Sequence, residues 1–288
     1  MLAGHSMNIL SIQSWVSYGH VGNSSAVFPL QRLGAEVWAV NTVQFSNHTG
    51  YGDWTGKVFS GADISALIDG IAARGALARC DAVLSGYMGD AGIGTAIVDA
   101  VARVKAENPS ALYCCDPVLG DDDTGLYVRP GIDAFMRDVA LPVADIATPN
   151  RFELEHITGL PTTTLAEIRI AIATLQAMGP RIVLVTSVVT TDTPSGCIDM
   201  LAVENGRMSL LRTPSLPVQV NGAGDAIAAL FLYHRLRTGD AATAMALAGS
   251  SIWGVLKRTA EAGSREILTV AAQDEFISPS QMFDTIPC

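Results

Sequence analysis

Short apolar runs of β-type residues alternate with helix-length segments along most of this chain, and no other feature limits the fold as much. The runs are NILSIQS (8–14), EVWAVNTVQF (36–45), CDAVLSGY (80–87), ALYCCDPV (111–118), ADIATPN (144–150) and RIVLVTSV (181–188). A segment long enough for a helix separates them, starting with SSAVFPLQRLG after the first. Parallel strands need such crossovers, and strands apolar on both faces must be covered on both sides. The pattern therefore predicts an α/β protein with a mostly parallel central sheet and helices on both faces.

The rhythm breaks once. CIDMLAVENGRMSLLRTP (197–214) reads as two strands meeting at Asn205-Gly206, a pair that favours a two-residue hairpin turn. Two helices are expected after this hairpin, the first stopped by Gly239. No linker, repeat or low-complexity tract divides the chain, so residues 8–288 are expected to form a single domain. Residues 1–7, which end on a second methionine, read as an appended or unordered start.

Composition narrows the function. With 49% hydrophobic and 16% charged residues, a large core is readily built, while apolar segments such as 226–232 are too short for a bilayer, so no membrane span is expected. The first residues lack the basic and apolar regions of a secretory signal, and five cysteines without paired spacing suit a reducing cytoplasm. Adjacent Cys114 and Cys115 read as core. A formal charge of -10 argues against a general nucleic-acid binder. Any phosphate ligand must be held by local backbone donors and a metal rather than by the overall field.

Familiar motifs fail on spacing. GYGDWTGK is followed by Val58 and is no P-loop; GDAGIGTAI carries Ile97 where a dinucleotide fingerprint needs glycine. GNSSA ends in alanine and is no nucleophile elbow, and the five histidines lack zinc-ligand spacing. Polar residues instead collect at the carboxyl ends of the strands, where open parallel sheets bind ligands. They are Ser14, the loop SNHTGYGDWTG (46–56), Asp116, Asn150 with Glu153, and Thr186 with Ser187. Asn150 and Glu153 lie one helical turn apart, so both can face one ligand.

In NGAGDAIAALF (221–231), Gly222 and Gly224 let the backbone aim successive N–H groups at one spot in front of a helix. Such an anion hole places Asp225 where it could take a proton from an attacking hydroxyl. Asp is also a favoured helix N-cap, so two readings of Asp225 stand side by side.

The stretch ILSIQSWVSYGHVGNSSAVFPLQRLGAEVWAVNTVQFSNHTGYGDWTG, with CDAVLSGYMG, CDPVLGD, ATPNRFELE and NGAGDA, closely resembles the pyridoxal kinases of the ribokinase-like superfamily, from about Asn8 to at least Leu256. The resemblance implies a ribokinase-like fold and ATP-dependent phosphorylation of the 5'-hydroxymethyl group of pyridoxal, with a homodimer and Mg2+, and K+ as a second candidate cation. It implies that Ser14 and Thr49 bind the pyridine substrate between walls of Val43, Phe45 and Tyr87. Asp116, Thr148, Asn150 and Glu153 would organise ATP phosphates and cations, Asp116 and Glu153 as the metal residues. Thr186 and Ser187 would lie near the nucleotide, Gly222, Ala223 and Gly224 would form the anion hole, and Asp225 would be the base. GDDDTGLYV (120–128) resembles the family's flexible loop over ATP, with Asp121 and Tyr127 at matching places. Where many bacterial members carry lysine after the strand, this chain has Thr186. A hydroxymethylpyrimidine kinase is the nearest alternative, although its G-S-D-x-S-G-G-A-G start is absent; a vitamin-binding protein without turnover is the other.

Overall fold

The computed structural model describes residues 7–288; residues 1–6 of the expected appended start lie outside the described residues. Met7 is tied in, its carbonyl accepting the Glu36 N–H at 2.8 Å.

The strands are β1 (Asn8–Val16), β2 (Glu36–Phe45), β3 (Gly56–Val58), β4 (Ala82–Ser85), β5 (Leu112–Cys115), β6 (Gly120–Asp121), β7 (Gly125–Leu126), β8 (Ile146–Ala147), β9 (Ile182–Val188), β10 (Cys197–Glu204), β11 (Arg207–Pro214) and β12 (Thr285–Pro287). Ten form one sheet in the order β12-β11-β10-β9-β8-β5-β4-β1-β2-β3, while β6 and β7 pair separately. From β2 to β9 the pairing is parallel, as the alternation predicts. Both edges are antiparallel: β3 returns along β2, and β10, β11 and β12 extend β9.

The helices are α1 (Asn23–Arg32), α2 (Gly61–Ala72), α3 (Ala91–Glu107), α4 (Ile132–Phe135), α5 (Leu141–Val143), α6 (Arg151–Thr158), α7 (Leu165–Met178), α8 (Ala223–Thr238), α9 (Ala241–Glu261) and α10 (Asp274–Ile277). Strand residues alternate between two cores. Leu10, Ile12, Val83, Cys115 and Val183 pack with α2, α3, α6 and α7, whereas Ile9, Leu84, Cys114 and Leu184 pack with α1, α8 and α9. The period-two geometry of a strand sends the adjacent cysteines to opposite faces, which explains why two small apolar groups stand together in β5.

Local chemistry sets the boundaries. At the β10–β11 turn Asn205 and Gly206 adopt φ of 52° and 73°, the left-handed pair that a tight hairpin needs. Gly239 ends α8 in the left-handed conformation. The strands at 80–87 and 144–150 are shorter than their apolar runs: they end at Ser85 and Ala147, and the rim loops that carry polar residues begin at Gly86 and Thr148. Among the described residues, no helix is long and apolar enough to cross a membrane.

Candidate active site

A cleft of about 610 Å³ opens at the carboxyl ends of the parallel strands, and every site residue expected from the sequence lines it. Its apolar end is built from β1 and β2: Val16, Val43 and Phe45 cluster with Val21, Val58 and Tyr87. Trp54 covers Phe45 with ring centroids 4.0 Å apart, and the Thr42 hydroxyl holds the Tyr87 carbonyl at 2.7 Å. Ser14 and Thr49 bring hydroxyls to this end. A wall of aromatic and branched side chains with two hydroxyls suits a flat polar ring.

At the other end α8 begins. Gly222 is its N-cap residue at φ 88° and makes no side-chain cap bond; Asp225 is the third residue of the helix, not the cap. The cap reading of Asp225 therefore loses its geometry. A side chain at 222 would collide with the His20 carbonyl, and the Ser25 hydroxyl donates to the Gly222 carbonyl at 2.7 Å, so the turn is held from behind by the segment leading into α1. The first N–H groups of a helix have no partner inside it, and here those of Ala223, Gly224 and Asp225 start a helix of 16 residues at the cleft.

Between the two ends lie the acids. Asp116 is 5% exposed and accepts the Thr148 hydroxyl at 2.8 Å. Burial first, then the charges of Glu153 and Asp225, hold its carboxyl well above the usual carboxylate range. Burial lifts Glu153 to about 7 against the pull of the N–H groups of Leu119 and Asn150. Withdrawal from water also raises half-buried Asp225, opposed by the Gly22 backbone. Among the described residues lining the cleft there is no Lys or Arg, so four carboxylates, those of Asp116, Asp121, Glu153 and Asp225, share a site without a Lys or Arg to compensate them.

Asn150 and Glu153 use much of their polarity on each other. The Asn150 side chain accepts from the Glu153 N–H and the Glu153 carboxylate from the Asn150 N–H, both at 2.8 Å, a capping box that starts α6. The second Glu153 oxygen accepts the Leu119 N–H at 2.9 Å, and Asn150 donates to the Gly120 carbonyl. This pair thus fixes the root of the 120–128 loop as well as facing the cleft. The loop itself is a small hairpin of β6 and β7. Asp121 spends one oxygen on Asp123, Thr124 and the Thr124 hydroxyl, and Arg151 pairs with Asp122.

Thr186 and Ser187, at the end of β9, stand between this cleft and a second pocket of about 250 Å³. That pocket is walled by Ile198, Met200, Leu216, Val218, Ile227 and Trp253, and shares Ala223 and Gly224 with the cleft. Ser187 adopts φ 54°, a left-handed conformation uncommon for serine. The sequence reading missed this pocket, whose residues come from the hairpin and from α8 and α9 and show their common face only after folding. It also missed His48 and Asn221, which line the cleft and lie 3.3 Å apart; both sit inside quoted motifs but match no ligand spacing.

A family model described as phosphomethylpyrimidine kinase matches residues 63–270. The chain is also 68% identical to the pyridoxal kinase PdxY of Granulibacter bethesdensis over 281 residues, covering 96% of this chain and 98% of that protein. The chain belongs to the pyridoxal kinase family. A second relative, the pyridoxal kinase PdxY of Rubrobacter xylanophilus, is 54% identical over 98% of each chain. The fold agrees: the pyridoxal kinase of Leishmania donovani in complex with ADP and ginkgotoxin superposes with a TM-score of 0.92 at 29% identity, over 98% of this chain and 100% of that one. The same enzyme has been solved with ADP and pyridoxine at a TM-score of 0.91.

Proposed function

We infer that this chain transfers the terminal phosphoryl group of ATP to the 5'-hydroxymethyl group of pyridoxal, giving pyridoxal 5'-phosphate for vitamin B6 salvage. The observation that carries the inference is the joining, in one cleft, of an apolar end bearing Ser14 and Thr49 to the glycine turn that presents Asp225. Family membership at 68% identity favours pyridoxal over hydroxymethylpyrimidine.

The pyridine ring would sit between Val43, Phe45 and Tyr87, with its hydroxymethyl group toward Asp225. As the hydroxyl oxygen bonds to the γ-phosphorus and the bond to the β-phosphate oxygen breaks, the Asp225 carboxylate takes the hydroxyl proton. The N–H groups of Ala223, Gly224 and Asp225 would donate to oxygens of the transferring group, where charge shifts during transfer. Burial raises the proton affinity of Asp225 above that of an ordinary aspartate, the direction that favours a base.

Asp116 fits a cation, because one of its oxygens accepts from Thr148 and four acids share the cleft without Lys or Arg. Asp116 with Glu153 would hold Mg2+, which supplies positive charge between these acids and the ATP phosphates. The apolar pocket beside Thr186 would take the nucleobase, with Trp253 as one wall. Asp121 and Tyr127 would cover the phosphates and limit water, which competes with the substrate hydroxyl. The same reading includes one domain over residues 8–288, a cytoplasmic location, which the five free thiols fit, and a homodimer, which sedimentation equilibrium tests.

The direct test mixes purified protein, ATP, Mg2+ and pyridoxal and follows the absorbance of the phosphorylated aldehyde. Phosphorylation of hydroxymethylpyrimidine without pyridoxal turnover would overturn the substrate, and vitamer binding without turnover would overturn the activity.

A further inference from the structure

Glu266, in the short segment after α9, lies outside the cleft lining yet touches two segments that border its apolar end. One carboxylate oxygen accepts the Tyr51 hydroxyl at 2.6 Å and lies 3.4 Å from His48 Nε2; the other accepts the His20 N–H at 3.1 Å. The carboxylate is 13% exposed and the His48 ring 12%, so these contacts are largely shielded from water. The Ser264 hydroxyl donates to the Glu266 carbonyl at 2.7 Å and accepts its N–H at 3.2 Å, fixing the segment locally. Gly19 permits the approach: a side chain there would collide with the Glu266 carboxylate.

The contacts continue toward the chemistry. The His48 ring lies against Tyr51, centroids 4.6 Å apart, and its Nδ1 is 3.3 Å from the Asn221 amide, the residue before the N-cap of α8. His20, held at its N–H by Glu266, presents its carbonyl to the face of Gly222, where there is no room for a side chain. Arg265 lies over the outer face of the Tyr51 ring at 4.8 Å. One carboxylate thus reaches the 46–56 loop, which carries Thr49, and the segment behind the glycine turn. The Tyr51 phenol, pushed up to about 12 mainly by this hydrogen bond, remains a donor throughout the neutral range.

We propose that Glu266 is a positioning residue that holds the His48–Tyr51 loop and the His20 segment in register, so that the substrate end of the cleft is preformed over the turn carrying Asp225. It touches neither substrate nor reacting atoms and acts through His48, Tyr51 and His20. Losing a shielded charged acceptor of this kind frees the loop, and the cost falls mainly on binding the ring, because the walls of the second pocket at Ile198, Met200, Leu216, Ile227 and Trp253 lie outside the segments that Glu266 holds and only Thr186, Ser187, Ala223 and Gly224 are common to pocket and cleft.

The inference rests on pyridoxal binding at this end. Wild-type protein that makes no pyridoxal phosphate would sink that reading, whereas wild-type turnover with an unaltered Glu266→Ala variant would sink only the role of Glu266. In Glu266→Ala the KM for pyridoxal should rise about tenfold while the KM for ATP stays within about twofold. Glu266→Gln, which keeps one acceptor oxygen, should fall between the two. Hydrogen exchange should quicken in residues 17–22 and 46–54 but not in β4 and β5. Should Glu266→Ala fail to fold, Tyr51→Phe removes one anchoring hydroxyl and carries the same readouts. An unmoved pyridoxal KM, equal rises for both substrates, or faster exchange throughout the sheet overturns the proposal.

Discussion

Acid should weaken this fold through one imidazole in α8. His234 is 9% exposed, its Nε2 is buried without a hydrogen-bond partner, and the edge of Tyr233 lies against it with centroids 5.4 Å apart. Burial first, and then the charge of Arg237, lower its pKa from 6.5 to about 4. The folded state thus binds fewer protons than the unfolded chain between these values. The stability from a neutral His234 is full above pH 6.5 and is lost as pH falls toward 4. The whole shift corresponds to about 3 kcal/mol, and at pH 5 about 2 kcal/mol of it is already gone. Urea unfolding at pH 7 and pH 5, on wild type and His234→Leu, isolates this contribution because other titrating groups act on both proteins. At pH 7 the two should agree within about 1 kcal/mol, since the substitution removes an unpaired nitrogen while slightly altering packing. At pH 5 His234→Leu should have lost about 2 kcal/mol less than wild type. Equal losses in both proteins would refute the reasoning and place a partner or water on Nε2.

Two substitutions probe the site more closely. Gly222→Ala places a side chain at φ 88° and against the His20 carbonyl; it should cost at least about 2 kcal/mol in urea unfolding and lower kcat as well, because the turn that presents Asp225 must move. Glu153→Gln removes a charge beside Asp116 and also one of the two oxygens that accept the Leu119 and Asn150 N–H groups, so a Mg2+ titration of activity should shift to higher concentration in protein whose melting temperature shows it folded; an unchanged titration would take Glu153 out of cation binding.

The parallel layers were legible because each β run is apolar on both faces, which only a doubly covered sheet accommodates. The β10–β11 hairpin was legible from two residues, Asn205 and Gly206, that accept a left-handed backbone. β3, β6, β7 and β12 were not: each has two or three residues, too few for periodicity; β3 and β12 exist because an edge of the main sheet supplies a partner, and β6 and β7 because they pair with each other. Within the site, strand-end placement brought Asp116 and Thr186 to the rim, and the glycine spacing marked the start of α8. The capping box between Asn150 and Glu153 was hidden in the same N-x-x-E pattern that suggested a shared ligand, since a helix start and a ligand pair use identical spacing. Glu266 gave no local signal, as its partners are more than 200 residues away in the chain.

Asp225 is proposed as the base of a kinase and not as a structural acid. Asn matches Asp in shape but cannot accept the hydroxyl proton, and as the third residue of α8, with no side-chain bond at the cap, Asp225 gives the helix little that Asn would not. The decisive measurement is kcat for pyridoxal in Asp225→Asn, taken with the melting temperature and ATP affinity of the same preparation. In this variant kcat should fall at least about 100-fold with stability and ATP affinity retained. A stable Asp225→Asn protein turning over pyridoxal at near wild-type rate would contradict it.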